Sequence, residues 1–132
     1  MTESKDPAGH IKLAVSDLKK SAPFYAALFG KLGYAQVLDE VDCVGFKTPE
    51  GFGIWIEQAE VKNHPYAFGA PGLHHFCFKA KSPQEVDDVH AFLVERGVFI
   101  FDPPAKYPEY TESYYAVFFA DPDGIKLELA YY

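Results

Sequence analysis

The stretch HIKLAVSDLKKSAPFYAALFGKLG at residues 10–33 decides the fold, because its pattern returns in HFCFKAKSPQEVDDVHAFLVERG at residues 75–97. Each stretch opens with a histidine on a segment of alternating polar and apolar residues, which predicts a half-buried strand. Apolar residues at helical spacing follow, and a glycine, Gly33 or Gly97, ends each helix. The repeat predicts two copies of one module.

The two predicted helices differ in their start signals. Pro23 is tolerated only near a first turn, so we place the start of the first helix near Ser21. The second helix has Ser82 as N-cap, Pro83 at its first position and Glu85 closing a capping box.

Short strand candidates complete each copy. They are YAQVLD (34–39), DCVGFKT (42–48) and GFGIWIE (51–57) in the first copy, and VFIF (98–101), YYAVFFA (114–120) and IKLELAYY (125–132) in the second. Residues 58–73 read as a linker, and DPPAKYPEYTES (102–113) reads as a loop. We therefore predict an α+β fold in which two βαβββ modules, about 10–57 and 74–131, form one cupped mixed sheet with helices on the outer face. Residues 10–132 would be a single domain after a mobile tail, residues 1–9.

Composition restricts the partners. The chain has 132 residues, is 48% hydrophobic and carries a formal charge of -7, which suits one packed domain and disfavours nucleic acid and membrane surfaces. No apolar run approaches the ~20 residues of a membrane helix, and the opening residues lack the apolar core of a signal peptide. The expectation is a cytoplasmic protein in which Cys43 and Cys77 are reduced, buried thiols.

Four polar residues of the repeat lie on the strand faces opposite the apolar residues. They are His10 and Glu57 in the first copy and His75 and Glu128 in the second. Because strand residues alternate faces, all four would line the cup. Converging carboxylates are costly without a compensating cation, and imidazole with carboxylate suits Zn, Ni, Co, Mn or Fe. We expect one divalent metal ion on these four residues, with Glu57 or Glu128 also moving a proton. Taken singly, a strand histidine is more often a hydrogen-bonded structural residue than a ligand, a strand glutamate is usually solvated, and Glu57 also fits a strand end.

Other residues are candidates for substrate binding. Trp55 is a cavity wall or a core residue, and Tyr115 belongs to an aromatic set with Tyr107, Tyr110 and Tyr114. Lys12 shares the face of the cup with Lys79 and Lys126, where these lysines meet an anionic substrate or lie at the rim. Alternation assigns His74 to the opposite, helix-facing side.

HIKLAVSDLKKSAPFY, LHHFCFKA and VFFADPDGIKLEL together resemble the vicinal oxygen chelate superfamily, which includes glyoxalases, bleomycin-resistance proteins and dioxygenases. The resemblance implies the paired βαβββ modules, a homodimer and a small-molecule substrate. Matched by position, the family's metal residues fall on His10, His75 and Glu128, and the fourth position of glyoxalase I falls on Glu57. Ala14 stands where bacterial glyoxalase I-like proteins use an arginine for glutathione, which disfavours a glutathione hemithioacetal.

Three functions follow as hypotheses. The first is a glyoxalase-like, metal-dependent enzyme with isomerase or lyase chemistry on a small oxygen-bearing substrate. The second is a metal-free binding or resistance protein of the bleomycin-binding type, supported by the aromatic content. The third is an extradiol-type dioxygenase, which needs two histidines and one carboxylate and would leave Glu57 surplus.

Overall fold

The computed structural model describes residues 5–132, which form eight strands and two helices in two compact units. The first unit ends at Pro65 and the second is Tyr66–Tyr132. The elements are β1 (His10–Val15), α1 (Leu18–Leu32), β2 (Ala35–Asp39), β3 (Cys43–Lys47), β4 (Gly53–Gln58), β5 (Phe76–Lys79), α2 (Pro83–Glu95), β6 (Ile100–Lys106), β7 (Tyr115–Ala120) and β8 (Lys126–Tyr131). No helix in this part of the chain is both long and apolar enough to span a membrane.

The first unit is one βαβββ module. Its sheet has the order β1-β4-β3-β2, with β1 parallel to β4 and the other neighbours antiparallel. Helix α1 contacts β2, β3 and β4. The buried apolar residues of the strands include Leu13, Val15, Val44, Phe46, Ile54 and Ile56. The ring of Phe29 on α1 lies 4.9 Å from that of Phe46 on β3, between centroids. The buried side chains between the sheet and α1 thus form the core of the module.

Helix α1 begins earlier than the sequence predicts. Asp17 is the N-cap and accepts a hydrogen bond from the Lys19 N–H, so the helix starts at Leu18 instead of near Ser21. Pro23 then lies inside the helix. Its missing N–H removes one backbone hydrogen bond, and the buried residues Tyr25, Leu28, Phe29 and Leu32 supply the packing that offsets this loss. Gly33 ends the helix with φ 81°, as predicted.

The second unit repeats the arrangement. Its sheet has the order β5-β8-β7-β6, again with one parallel pair, β5 with β8. Ser82 caps α2 by accepting from the Glu85 N–H, while the Glu85 carboxylate accepts from the Lys81 N–H. The first bond satisfies an N–H group that a helix start leaves open, and the second ties the residue before the N-cap to the first turn. The α+β class and the two βαβββ modules are confirmed, whereas the single cup and the single domain over 10–132 stay predictions.

Strand β6 is longer than the sequence suggests. The predicted strand ended at Phe101, but the observed one runs through Pro103 and Pro104 to Lys106. The prolines are tolerated because β6 is an edge strand, and register shifts interrupt its pairing with β7 at this point.

The predicted tail falls partly outside the described residues, since residues 1–4 are not among them. The Lys5 N–H donates to the Glu50 carbonyl at 3.0 Å, and the Gly9 carbonyl accepts from the Gly53 N–H at 3.0 Å. Residues 5–9 therefore have backbone contacts with the turn before β4 and with its first residue.

Gly45 provides a test of packing in the first module. A Cβ atom at this position would lie 1.7 Å from a ring carbon of Trp55. We expect Gly45→Ala to lower the free energy of unfolding by about 1–3 kcal/mol, because the indole must move. Gly30→Ala is the matched control, since Gly30 lies in α1 with open space around it and should gain up to ~1 kcal/mol. Urea unfolding measures both variants, and an equal shift would contradict the close packing at Gly45.

Candidate functional site

Two residues predicted as metal ligands meet in the second module. His75 directly precedes β5, and Glu128 lies in the middle of β8, opposite Cys77 in the parallel pair. The His75 Nε2 atom is 3.0 Å from the Glu128 Oε1 atom. Glu128 is only 2% exposed, whereas a third of the His75 side chain is exposed. A nearly buried carboxylate requires hydrogen-bond donors, and His75 supplies one.

Tyr114 supplies the second donor. Its hydroxyl donates to the Glu128 Oε2 atom at 2.5 Å. Burial and this hydrogen bond raise the pKa of Tyr114. The Tyr114 ring stacks on that of Tyr132, with centroids 4.9 Å apart and planes at 11°. The sequence named Tyr114 only as one of several aromatic residues.

Tyr115, the predicted substrate-binding tyrosine, lies elsewhere. Its hydroxyl donates to the Asp87 carboxylate on α2 at 2.6 Å, so it is on the helix side of the sheet. Tyr114 lies two residues before Ala116 and packs with it and Phe118 on the opposite face. Alternation from Ala116 and Phe118 was the signal that could have distinguished the two tyrosines.

Cys77 completes the surroundings of Glu128. Burial, and next the neighbouring Glu128 charge, raise the pKa of Cys77 to about 12. The thiol is therefore protonated at neutral pH and acts as a small, partly buried apolar group. Cys43 is a buried free thiol, whereas Cys77 is partly buried.

A cavity of about 390 Å³ in the second module opens beside this carboxylate. Its aromatic lining comes from Tyr107, Tyr110, Tyr114 and Phe118. Small-molecule pockets commonly have this size and combine apolar walls with a few polar groups. Here the polar groups are His74, His75, Glu128, Asp102 and Lys126.

His74 belongs to the cavity, and its predicted helix-facing position is wrong. Its Nδ1 atom is 2.8 Å from the Nδ1 atom of His75. Alternation fails because β5 begins only at Phe76, so residue 74 lies before the extended segment to which the rule applies. In neutral His75, Nε2–H donates to Glu128 and Nδ1 accepts from His74.

The corresponding position of the first module is different. In the second module, Glu128 lies opposite Cys77, which is two residues after His75. In the first module, Trp55 lies opposite Lys12, which is two residues after His10. Trp55 is thus the counterpart of Glu128. Glu57 lies opposite Ala14, four residues along β1 from His10, or about 13 Å.

Glu57 has a different partner from the one predicted. The Lys12 ammonium is 3.0 Å from the Glu57 Oε1 atom, and both side chains are about half exposed. The hydrogen bond and charge of Glu57 raise the pKa of Lys12. Both are therefore engaged with each other on the sheet, which competes with the metal role predicted for Glu57 and the substrate role predicted for Lys12.

Trp55 covers the backbone of its neighbouring strand. Its ring lies over Gly45 of β3, and its centroid is 6.5 Å from that of His10. The indole is partly exposed on the same face as His10.

His75 and Glu128 are placed so that they could supply two ligands to one metal ion. Two cis ligands with bonds of ~2.1 Å are about 3.0 Å apart, and the His75 Nε2 to Glu128 Oε1 distance is 3.0 Å. Across residues 5–132 no three His, Cys, Asp or Glu side chains are grouped closely enough to hold a metal ion. The pair therefore offers two donors.

Two βαβββ modules with a buried His–Glu pair beside a small-molecule cavity define the class of protein. The family model described as Glyoxalase/Bleomycin resistance protein/Dioxygenase superfamily matches residues 8–129. The chain belongs to this superfamily.

The chain is also similar to other proteins along most of its length. The chain is 31% identical to the protein YqjT of Bacillus subtilis over 121 residues, which are 91% of this chain and 94% of YqjT. It is 27% identical to the virulence protein STM3117 of Salmonella typhimurium, covering 96% of this chain and 85% of that protein. The crystal structure of a provisionally assigned glyoxalase from Bacillus halodurans superposes with a TM-score of 0.84 at 27% identity, over 97% of both chains.

Tyr114 provides a test of the site's internal bonding. We expect Tyr114→Phe to lower the free energy of unfolding by about 1–3 kcal/mol, because it leaves a buried carboxylate oxygen without a donor. Tyr110→Phe is the control, since Tyr110 is 61% exposed, and it should change stability by less than about 0.5 kcal/mol. Equal unfolding midpoints in urea for Tyr114→Phe and the wild type would show that the hydroxyl does not support Glu128.

Proposed function

We propose that the protein is a glyoxalase-like, metal-dependent enzyme that acts on a small substrate through two oxygen atoms. The observation that carries this proposal is the 3.0 Å approach of His75 Nε2 to Glu128 Oε1 beside an aromatic cavity. Superfamily membership supports the same chemistry. The ion would be Zn, Ni, Co, Mn or Fe, metals that imidazole and carboxylate ligands suit. Its ligands in the second module would be His75 and Glu128, and the resemblance to the superfamily implies His10 as a third.

The bound metal would supply Lewis acidity toward a substrate oxygen. Tyr114 holds the Glu128 Oε2 atom, so Oε1 is the oxygen of this carboxylate that is available as a ligand. His74 would fix the tautomer of His75: once Nε2 is a ligand, the His75 Nδ1–H donates to His74.

Of the two glutamates, we assign proton transfer to Glu128. It lines the cavity, whereas Glu57 is paired with Lys12. A base must come within hydrogen-bond distance of the proton that it removes. Because Tyr114 holds Oε2, Glu128 would act through Oε1, which would leave the metal to accept the proton. Isomerase and lyase reactions both need such a transfer next to a polarised carbonyl.

Two observations favour the other functions of the sequence analysis. Both oxygens of Glu128 already have donors within the protein, as a metal-free binding protein would require. The pairing of Glu57 with Lys12 leaves two histidines and one carboxylate, the ligand set of an extradiol-type dioxygenase.

We also propose a homodimer in the cytoplasm with a small-molecule substrate, as the resemblance to the superfamily implies. Light scattering of the purified protein should give twice the monomer mass, and a monomer at micromolar concentration would contradict the dimer.

The metal proposal is tested by elemental analysis and calorimetry. Wild-type protein loaded with Zn, Ni, Mn or Fe should retain one ion per chain after desalting. His10→Ala, His75→Ala and Glu128→Gln should lose it, and Tyr114→Phe should weaken binding about 10–100-fold, because it frees the Glu128 carboxylate to turn.

Glu57→Gln is the matched control and should retain the metal, because its carboxylate is paired with Lys12. Failure of the wild type to retain any of the four metals would overturn the proposal and favour the metal-free binding protein. Loss of metal in Glu57→Gln together with the other three variants would restore the four-residue ligand set that the sequence predicted.

A further inference from the structure

Lys126 is the cationic side chain of the cavity that the proposed function leaves without a role. It lies on β8 two residues before Glu128 and therefore on the same face of the sheet. Its ammonium lies 4.7 Å from the centroid of the Phe118 ring and 4.8 Å from that of Phe68. Among residues 5–132 it forms no ion pair with a carboxylate. An ammonium held over aromatic rings in a cavity is available to an anionic ligand.

Phe118 lies between this charge and the His75–Glu128 pair. It is the direct cross-strand partner of Glu128 on β7, and its ring is 6.1 Å from that of His75. Residues two apart on one strand are separated by about 7 Å. This spacing refers to the backbone, and the two charged groups do not form an ion pair. A ligand that contacts both Lys126 and Glu128 would therefore lie across the Phe118 ring.

The remaining walls favour a flat ligand. The rings of Tyr107 and Tyr110 are stacked, with centroids 5.7 Å apart and planes at 15°, and Tyr107 meets Phe118 edge-on at 5.6 Å. Aromatic side chains in this arrangement offer ring faces and edges to another planar π-system. Asp102 also lines the cavity, and its carboxylate would repel a second negative charge on the ligand.

We propose that the cavity binds a small, planar, singly charged anion, an aryl or conjugated carboxylate with a hydroxyl or keto oxygen at its opposite end. The carboxylate pairs with Lys126, the ring lies against Phe118 and Tyr107, and the distal oxygen reaches His75 and Glu128. This inference rests on the proposed function for the chemistry at the distal oxygen, but the binding itself requires no metal.

The test uses full-length protein stripped of metal with a chelator and three probes in calorimetry. 4-Hydroxybenzoate carries both features, 4-hydroxybenzyl alcohol lacks the charge, and 4-hydroxycyclohexanecarboxylate lacks the aromatic ring. We expect 4-hydroxybenzoate to bind about tenfold more tightly than either of the others. Equal affinity for the acid and the alcohol, equal affinity for the two acids, or no binding of any probe would overturn the proposal.

Two lysine variants locate the charge. Lys126→Met should remove the preference for the acid over the alcohol, whereas Lys79→Met should keep it. Lys79 is a matched control, because its ammonium also lies over an aromatic ring, that of Tyr132 at 4.4 Å, and it does not line the cavity. An equal loss of preference in both variants would indicate a general charge effect and contradict the site. If circular dichroism shows that Lys126→Met does not fold, probe binding to the wild type and to Lys126→Arg tests the proposal instead. Lys126→Arg should retain the preference for the acid.

The outcome is separable from that of the metal proposal. If metal retention fails and 4-hydroxybenzoate binds, the cavity belongs to a metal-free binding protein and the ligand class stands. If the metal is retained and the probe does not bind, the ligand class alone is wrong.

Discussion

The structure depends on how one carboxylate is buried. Glu128 is 2% exposed in β8, a strand with neighbours on both sides, where an unpaired charge would be very costly. His75 and Tyr114 each donate to one of its oxygens, so each oxygen of the carboxylate has its own hydrogen-bond donor. The β5–β8 register brings His75 to the first oxygen, and the segment before β7, supported by Tyr132, brings Tyr114 to the second. A cavity lined by these same side chains follows from this arrangement.

The repeat conserves the backbone pairing and changes the chemistry. Both modules have one parallel and two antiparallel strand pairs, and in both a histidine stands at or just before the start of the first strand. At the position of Glu128 the first module has Trp55, whose ring requires glycine at position 45. The two residues need different surroundings, since a buried carboxylate needs hydrogen-bond donors and an indole needs room for its ring. The duplicated strand pattern therefore supports a hydrogen-bonded His–Glu pair in one module and an aromatic surface in the other.

The sequence predicted the modules because alternation, helical spacing and the glycine after each helix agree with the structure. His75 and Glu128 do lie together, as alternation indicated, because His75 directly precedes β5 and keeps the alternation of that strand. Alternation could not give the register, since a strand pattern specifies the face that a side chain takes and not the residue that lies opposite. The sequence therefore predicts Glu57 as a ligand beside His10, whereas the register places it opposite Ala14 and its carboxylate pairs with Lys12. His74 was misplaced because the strand begins after it, and Tyr115 was named in place of Tyr114 by composition alone. Asp17 and the edge position of β6 were the local details that altered the predicted bounds of α1 and β6.

The central claim is that the Oε1 atom of Glu128, with the Nε2 atom of His75, is the functional end of this carboxylate, while Tyr114 retains the Oε2 atom. Anomalous diffraction from crystals soaked in nickel or zinc tests it most directly. The account predicts a peak within bonding distance of His75 Nε2 and a single Glu128 oxygen, with the Tyr114 hydroxyl still donating to the other oxygen. A peak at Glu57, or an ion bound by both Glu128 oxygens after displacement of Tyr114, would contradict it.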